Sequence, residues 1–332
     1  MWALALLVLV VLASFNAVQA ASQNWTGGSI VNGNWSTGDN WSGGAAAGSI
    51  SMTDNRDIAT FNAAIANGGG TSLTPIIIDS ATQNIGGLSF TGAAGNYFIG
   101  TTGGNALRLS DTGSIQIASG LTATNATQTI NAPLALQGTS YSFINDSALG
   151  RGTLVIGGGV TGTTGDATLT LGGTNRSANT VSSIIGNGTA TSVAVTKSGA
   201  GTWVLTGENT YSGVTTVSAG VLNIQHAKAL GTTTGATTVA KGAALQLQGG
   251  ITTLAEEALT LNGFGIGSTG ALRNMSGDNT YAGLITLEGA TRINSDAGTL
   301  TLKNMVTRNG LFLPLTVGGR AIRRWESTEY PC

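Results

Sequence analysis

Between residues 193 and 231 short apolar alternations recur, each cut off by glycine. Val193 and Val195 alternate with small residues, Trp203 and Leu205 flank Val204, and Leu222 and Ile224 flank Asn223. Successive side chains of a strand point to opposite faces, so this period of two turns Leu205, Leu222 and Ile224 inward and Val204 and Asn223 outward. Ser198-Gly199-Ala200-Gly201, Gly207-Glu208-Asn209 and Ser218-Ala219-Gly220 supply the turns between the strands. Strands this short cannot bury an apolar face alone. They must stack on copies of themselves.

The copies are present. Glu208-Asn209-Thr210-Tyr211-Ser212-Gly213 returns as Asp278-Asn279-Thr280-Tyr281-Ala282-Gly283, an offset of 70. A weaker copy aligns Leu169-Thr170-Leu171 with Trp203-Val204-Leu205, an offset of 34. Together they predict a period of about 35 residues, in the range of solenoids, propellers and arrays. Helical repeats are disfavoured, because Gly and Thr interrupt every window and helix caps are hard to find.

Lys197-Ser198-Gly199-Ala200-Gly201-Thr202-Trp203-Val204-Leu205, continuing through Asn209-Thr210-Tyr211 and Thr215-Thr216-Val217 to Gly220-Val221-Leu222, resembles the autotransporter-associated β-strand repeat, also called the passenger-associated transport repeat. The family's Leu-x-Leu is Trp203-x-Leu205 here, and Arg273 and Met275 occupy that pair in the second copy. The resemblance implies an all-β chain wound as a right-handed parallel β-helix with an amino-terminal Trp/Asn-rich cap. It also implies a secreted or surface-displayed stalk or adhesion scaffold, exported by an outer-membrane translocator that this chain does not encode. The expected layout is a signal peptide over 1–20, cap and irregular first coils over 21–100, β-helix over 101–318, clearest over 193–231 and 271–302, and a non-repeat tail over 319–332. At two short coils per period, about 12–14 coils would stack to about 60 Å.

Composition narrows the class. Charged residues make up 9%, against roughly 25% in an average domain, while Val, Ile, Leu and Thr are frequent, unlike a disordered chain. Gly at 52 with only 4 Pro excludes collagen. A net charge of −1, with the first lysine at Lys197, offers no footprint for nucleic acid. The single Cys332 cannot form an internal disulfide. Stability must come from stacking, at roughly 1.5–3 kcal/mol per buried aliphatic side chain.

The ends carry their own signals. Residues 2–12 form an apolar run too short to span a membrane, and Val18-Gln19-Ala20 suits cleavage after Ala20. Trp25, Trp35 and Trp41, each preceded by Asn, place half of the six tryptophans in one short stretch. They read as a sugar-binding platform or as a cap over the open coil end, and the family resemblance favours the cap. After Leu315-Thr316-Val317-Gly318-Gly319 the pattern stops, and Arg320, Arg323, Arg324, Glu326 and Glu329 crowd into the remaining stretch. The change in composition predicts a longer repeat protein truncated by a frameshift or a gene-model error, with a solvated natural tail as the alternative.

Chemistry is sparse. His226 is the single histidine, read as a loop residue, so His/Cys zinc sites are excluded. No Gly-x-Ser-x-Gly elbow, Gly-Lys-Ser/Thr phosphate loop or Gly-Gly-x-Gly-x-Asp calcium repeat occurs. A β-helical lyase or glycosidase would need convergent carboxylates, and Asp54-Asn55-Arg56-Asp57 is the densest candidate. Glu256-Glu257 reads as a solvated loop, and Asn209 and Asn279 as turn residues. The expectation is a non-enzyme with no catalytic, cofactor or metal residue, and a surface glycan or cell-surface ligand as partner. The alternative is a carbohydrate-binding or polysaccharide-degrading β-helix.

Overall fold

In the structure, a computed structural model, residues 21–29, 32–50, 55–65, 70–304, 306–308 and 314–324 are described. The expected signal peptide, Asp54 and Cys332 lie outside them. Among the described residues the chain winds as a parallel β-solenoid of about ten turns, with essentially no helix. One interior column shows the winding. Ala59, Leu88, Ile115, Phe143, Leu171, Lys197, Val217, Val239, Leu261 and Leu287 are register partners in succession, one per coil. All ten are buried.

On another wall Trp203 pairs with Leu222 and Leu222 with Leu245, while Leu205, Ile224 and Leu247 form the next row. Leu205, Leu222 and Ile224 point inward and are fully buried, as the alternation requires. Val204 and Asn223 stand in the outward row yet remain only 6% and 5% exposed. Their strand and cross-coil neighbours shield them.

The coil length differs from the expected one. Thr215, Thr237, Leu259 and Ile285 are successive partners, so the recurrence from Asn209 to Asn279 spans three coils, with steps of 22, 22 and 26 in the numbering. Across the solenoid the step ranges from 19 (Thr202 to Val221) to 36 (Gln23 to Ala59). Two coils per period, and with them 12–14 coils, are therefore overturned. The offset of 34 misled because it compared two walls: Leu169 pairs with Val195, whereas Trp203 pairs with Asn179.

Register in the second copy also differs. Leu272 and Asn274 are the inward pair, and Arg273 faces out. The register slips between Leu247 and Gln248, whose partners are Asn274 and Ser276. The extra residue is Met275. A bulge of this kind re-aims the strand and frees it from the family spacing.

Trp25, Trp35 and Trp41 are buried at the first coil. Trp41 meets Trp25 and Trp35 edge-on with ring centroids 5.0 and 4.8 Å apart, and Trp25 continues through Phe61 to Phe90 and Tyr97. The Trp35 indole donates to the Ala47 carbonyl at 2.9 Å and the Trp41 indole to the Trp35 carbonyl at 2.7 Å. None of these three indole faces is left open for a sugar, so the rings close the core. At the other end, Leu300 pairs with Ile322 and Leu302 with Arg324. The expected boundary at 319 thus falls inside a strand, Leu315–Arg324.

Candidate interaction surface

Several of the scattered acids are turn staples. Asp111 accepts the Thr139 N–H at 2.6 Å, Asp146 that of Thr174 at 3.0 Å, and Asp278 that of Thr299 at 2.8 Å, each one coil away. These bonds hold the Asp111 carboxyl below its ordinary range, with the Thr139 and Ser140 N–H groups as the largest causes. Asp57 accepts from the Asn55 amide at 3.0 Å, and the Asn55 carbonyl oxygen accepts the Asp57 N–H at 2.8 Å. That reciprocal turn fixes the entry to the strand Ile58–Phe61. Among the described residues no three of His, Cys, Asp and Glu come close enough to hold a metal ion.

His226 sits on a turn, its Nδ1 accepting the Lys228 N–H at 3.2 Å. Asn209 and Asn279 are buried and do the same job in their two repeats. Asn209 accepts from Ile185 N–H at 2.8 Å and donates to the Ala229 carbonyl at 2.6 Å. Asn279 accepts from Ile251 N–H at 2.7 Å and donates to the Ser276 carbonyl at 2.8 Å. Each ties its coil to a neighbour through backbone groups that would otherwise be orphaned.

The outer walls are what remains to meet a partner. Ser114, Ser142, Thr170, Thr196, Thr216, Thr238, Thr260, Thr286 and Thr307 are consecutive partners in one outward row. Coils repeat at about 4.8 Å, too far for hydroxyls in one rotamer to bond each other. Thr286 and Thr307 lean together, with their hydroxyls 3.2 Å apart. The side chains of the seven before them make no hydrogen bond among the described residues. Two positions upstream on the strands lie Thr168, Ala194, Val214, Ala236, Ala258 and Leu284, also without charge. The repeated Thr-Thr-Val of residues 215–217 and 237–239 carried this signal in the sequence.

A second wall carries amides and ions. Asn223 donates to Gln246 and Gln248 at 3.4 and 3.3 Å and accepts from Gln225 at 3.0 Å. Arg273 continues that row and pairs with Asp296 through Nε at 2.8 Å. A shallow hollow near the cap is lined by Ile77, Asp79, Gly100, Thr101 and Asn105, and Asp79 there is engaged by the Ser36 N–H at 3.0 Å.

Among the described residues two charged side chains lie inside, Lys197 and Glu257. Lys197 is fully buried and donates to the carbonyls of Ser198, Gly199 and Ala219 at 2.6, 2.8 and 3.0 Å. Glu256 is exposed, as expected of a solvated loop, but Glu257 is only 2% exposed. That corrects the expectation for the pair. Winding carries Glu257 under Tyr281, whose hydroxyl donates to the Glu257 backbone carbonyl at 3.0 Å.

Fold and surface together define a parallel β-solenoid. Residues 195–224 match the model of the Passenger-associated-transport-repeat, and the chain carries that repeat. It is 33% identical over 251 residues to the Adhesin BmaC autotransporter of Brucella suis biovar 1 (strain 1330). The match covers 72% of this chain and 6% of that protein. No solved structure matches the chain.

Proposed function

We propose that this chain is a passenger-like stalk segment of a surface adhesin, non-catalytic, displayed after export by an outer-membrane translocator, and that the threonine row is its contact face. One observation carries the reading: nine coils present an unbroken, uncharged line of hydroxyls, while carboxylates such as Asp111, Asp146 and Asp278 are engaged between coils. Ten coils at about 4.8 Å make a rod of roughly 50 Å, which extends a surface without folding around a substrate. The similarity to a Brucella adhesin supports the adhesive role. A neutral cell-surface glycan suits a face that offers hydroxyls and methyls but no charge.

Beads coated with the chain should adhere to cultured epithelial cells above albumin-coated controls. Thr216→Lys with Thr238→Lys should lower adhesion several-fold, and Gln246→Lys on the amide wall should not. Equal adhesion by all three proteins would remove the threonine row from the reading. Polysaccharide turnover that Asp57→Asn abolishes would overturn the non-catalytic role itself.

A further inference from the structure

The two Asn-Thr-Tyr repeats mark the ends of a polar column in the solenoid interior. Tyr211 shares a hydrogen bond of 2.7 Å with the Thr215 hydroxyl, and Thr215 stacks in register on Thr237. The Thr237 hydroxyl donates to Glu257 Oε1 at 2.8 Å, and Tyr281 closes the column from the next coil through the Glu257 carbonyl. Glu257 Oε2 is buried and has no hydrogen-bond partner. Tyr211 and Tyr281 are the titratable groups that face the carboxyl, and no cation among the described residues does.

We propose that Glu257 is an acid-held latch: the coil segment 251–261 closes most firmly over this column while the carboxyl carries its proton, and it loosens as the carboxyl ionises. A neutral carboxyl leaves one unused hydroxyl in the core, which the packing tolerates. An ionised one places an unpaired charge among two tyrosines and two threonines, which it does not. Segment 251–261 is also held by bonds that can open together. Thr253 donates its N–H to the Thr280 carbonyl at 3.0 Å and accepts the Ala282 N–H on its hydroxyl at 2.9 Å.

Burial pushes the Glu257 carboxyl up to about 7, against the lowering effect of the Thr237 hydroxyl. The sign follows. Below the ordinary carboxylate range both closed and open states are protonated, and the latch holds fully. Between about 4.5 and about 7 the open state ionises first, so opening gains close to tenfold per pH unit. Above that both states are ionised and the dependence flattens.

Hydrogen exchange of the full chain, corrected for intrinsic rates and read by mass spectrometry across this pH range, tests the latch. Wild type should lose protection in 251–261 and 279–285 as pH rises, Glu257→Gln should show no such dependence, and Glu256→Gln should behave as wild type. Thr237→Val provides an independent arm, because losing its hydroxyl should move the transition to higher pH. A flat wild-type profile would overturn the proposal, as would the same loss of protection in Glu257→Gln. So would an unshifted transition in Thr237→Val.

Discussion

Leu222→Asp is expected to lower stability by roughly 4 kcal/mol or more and to split unfolding into two transitions. Leu222 is fully buried and stacks between Trp203 and Leu245 on adjacent coils. An aspartate there meets only apolar neighbours, so it must either take up a proton or draw water into the column. Each coil contacts chiefly its neighbours, and the stack is stable through a sum of nearest-neighbour terms. A defect in the strand Val221–Ile224 therefore uncouples the coils before it from those after it. Asn223→Asp is the matched control, one residue away and outward. Its partners Gln246 and Gln248 can turn their amides to offer N–H groups to a carboxylate, so the cost should stay within about 1 kcal/mol. Urea unfolding followed by circular dichroism and by tryptophan fluorescence reads both variants. Equal costs would mean that the strand is slipped by one residue, exchanging its faces.

That contrast was readable from alternation alone, since a period of two states which residues share a face. The coil length was not. Turns vary enough that the step from one coil to the next runs from 19 to 36, and the clearest motif returns only at every third coil. A repeat visible along the chain is thus not the repeat of the winding. Met275 shows the same limit locally, because a bulge shifts the register without altering the local composition. Glu257 sat in Ala-Glu-Glu-Ala, which by itself reads as a solvated turn. Its surroundings, Tyr211, Thr237 and Tyr281, come from three other coils, and only the winding brings them together. The threonine row was legible in pieces, as Thr-Thr-Val, but its continuity across nine coils depends on registers that no local pattern encodes. Asp111, Asp146 and Asp278 looked like idle surface acids for the related reason that their N–H partners lie on the next coil, far along the chain.

Lys197→Met should cost roughly 3 kcal/mol, although the residue looks like an ordinary surface lysine in Lys-Ser-Gly-Ala-Gly. It occupies the single charged place in the interior column from Ala59 to Leu287, between Leu171 and Val217. Its stem packs as a hydrophobe, and its ammonium reaches the corner where two coils turn. Burial pushes that ammonium down to about 8, and three carbonyls accept its hydrogen bonds. Gly199 and Gly220 make the corner possible. Both are left-handed, at φ +66° and +69°, and a Cβ on Gly220 would collide with the Gly199 carbonyl oxygen and lie 2.6 Å from the Lys197 nitrogen. Methionine keeps the stem's volume, so little cavity cost arises. What it removes is the donor, leaving carbonyls from two coils unsatisfied at about 1–3 kcal/mol each, partly relieved by water. Lys228→Met is the comparison, because the Lys228–Glu208 pair at 2.6 Å is about half exposed on both sides and solvent screens such pairs until they contribute little. Denaturation midpoints for the two variants decide the matter. If Lys197→Met were no more damaging than Lys228→Met, the ammonium would not be pinning the corner, and packing of the stem alone would account for its burial.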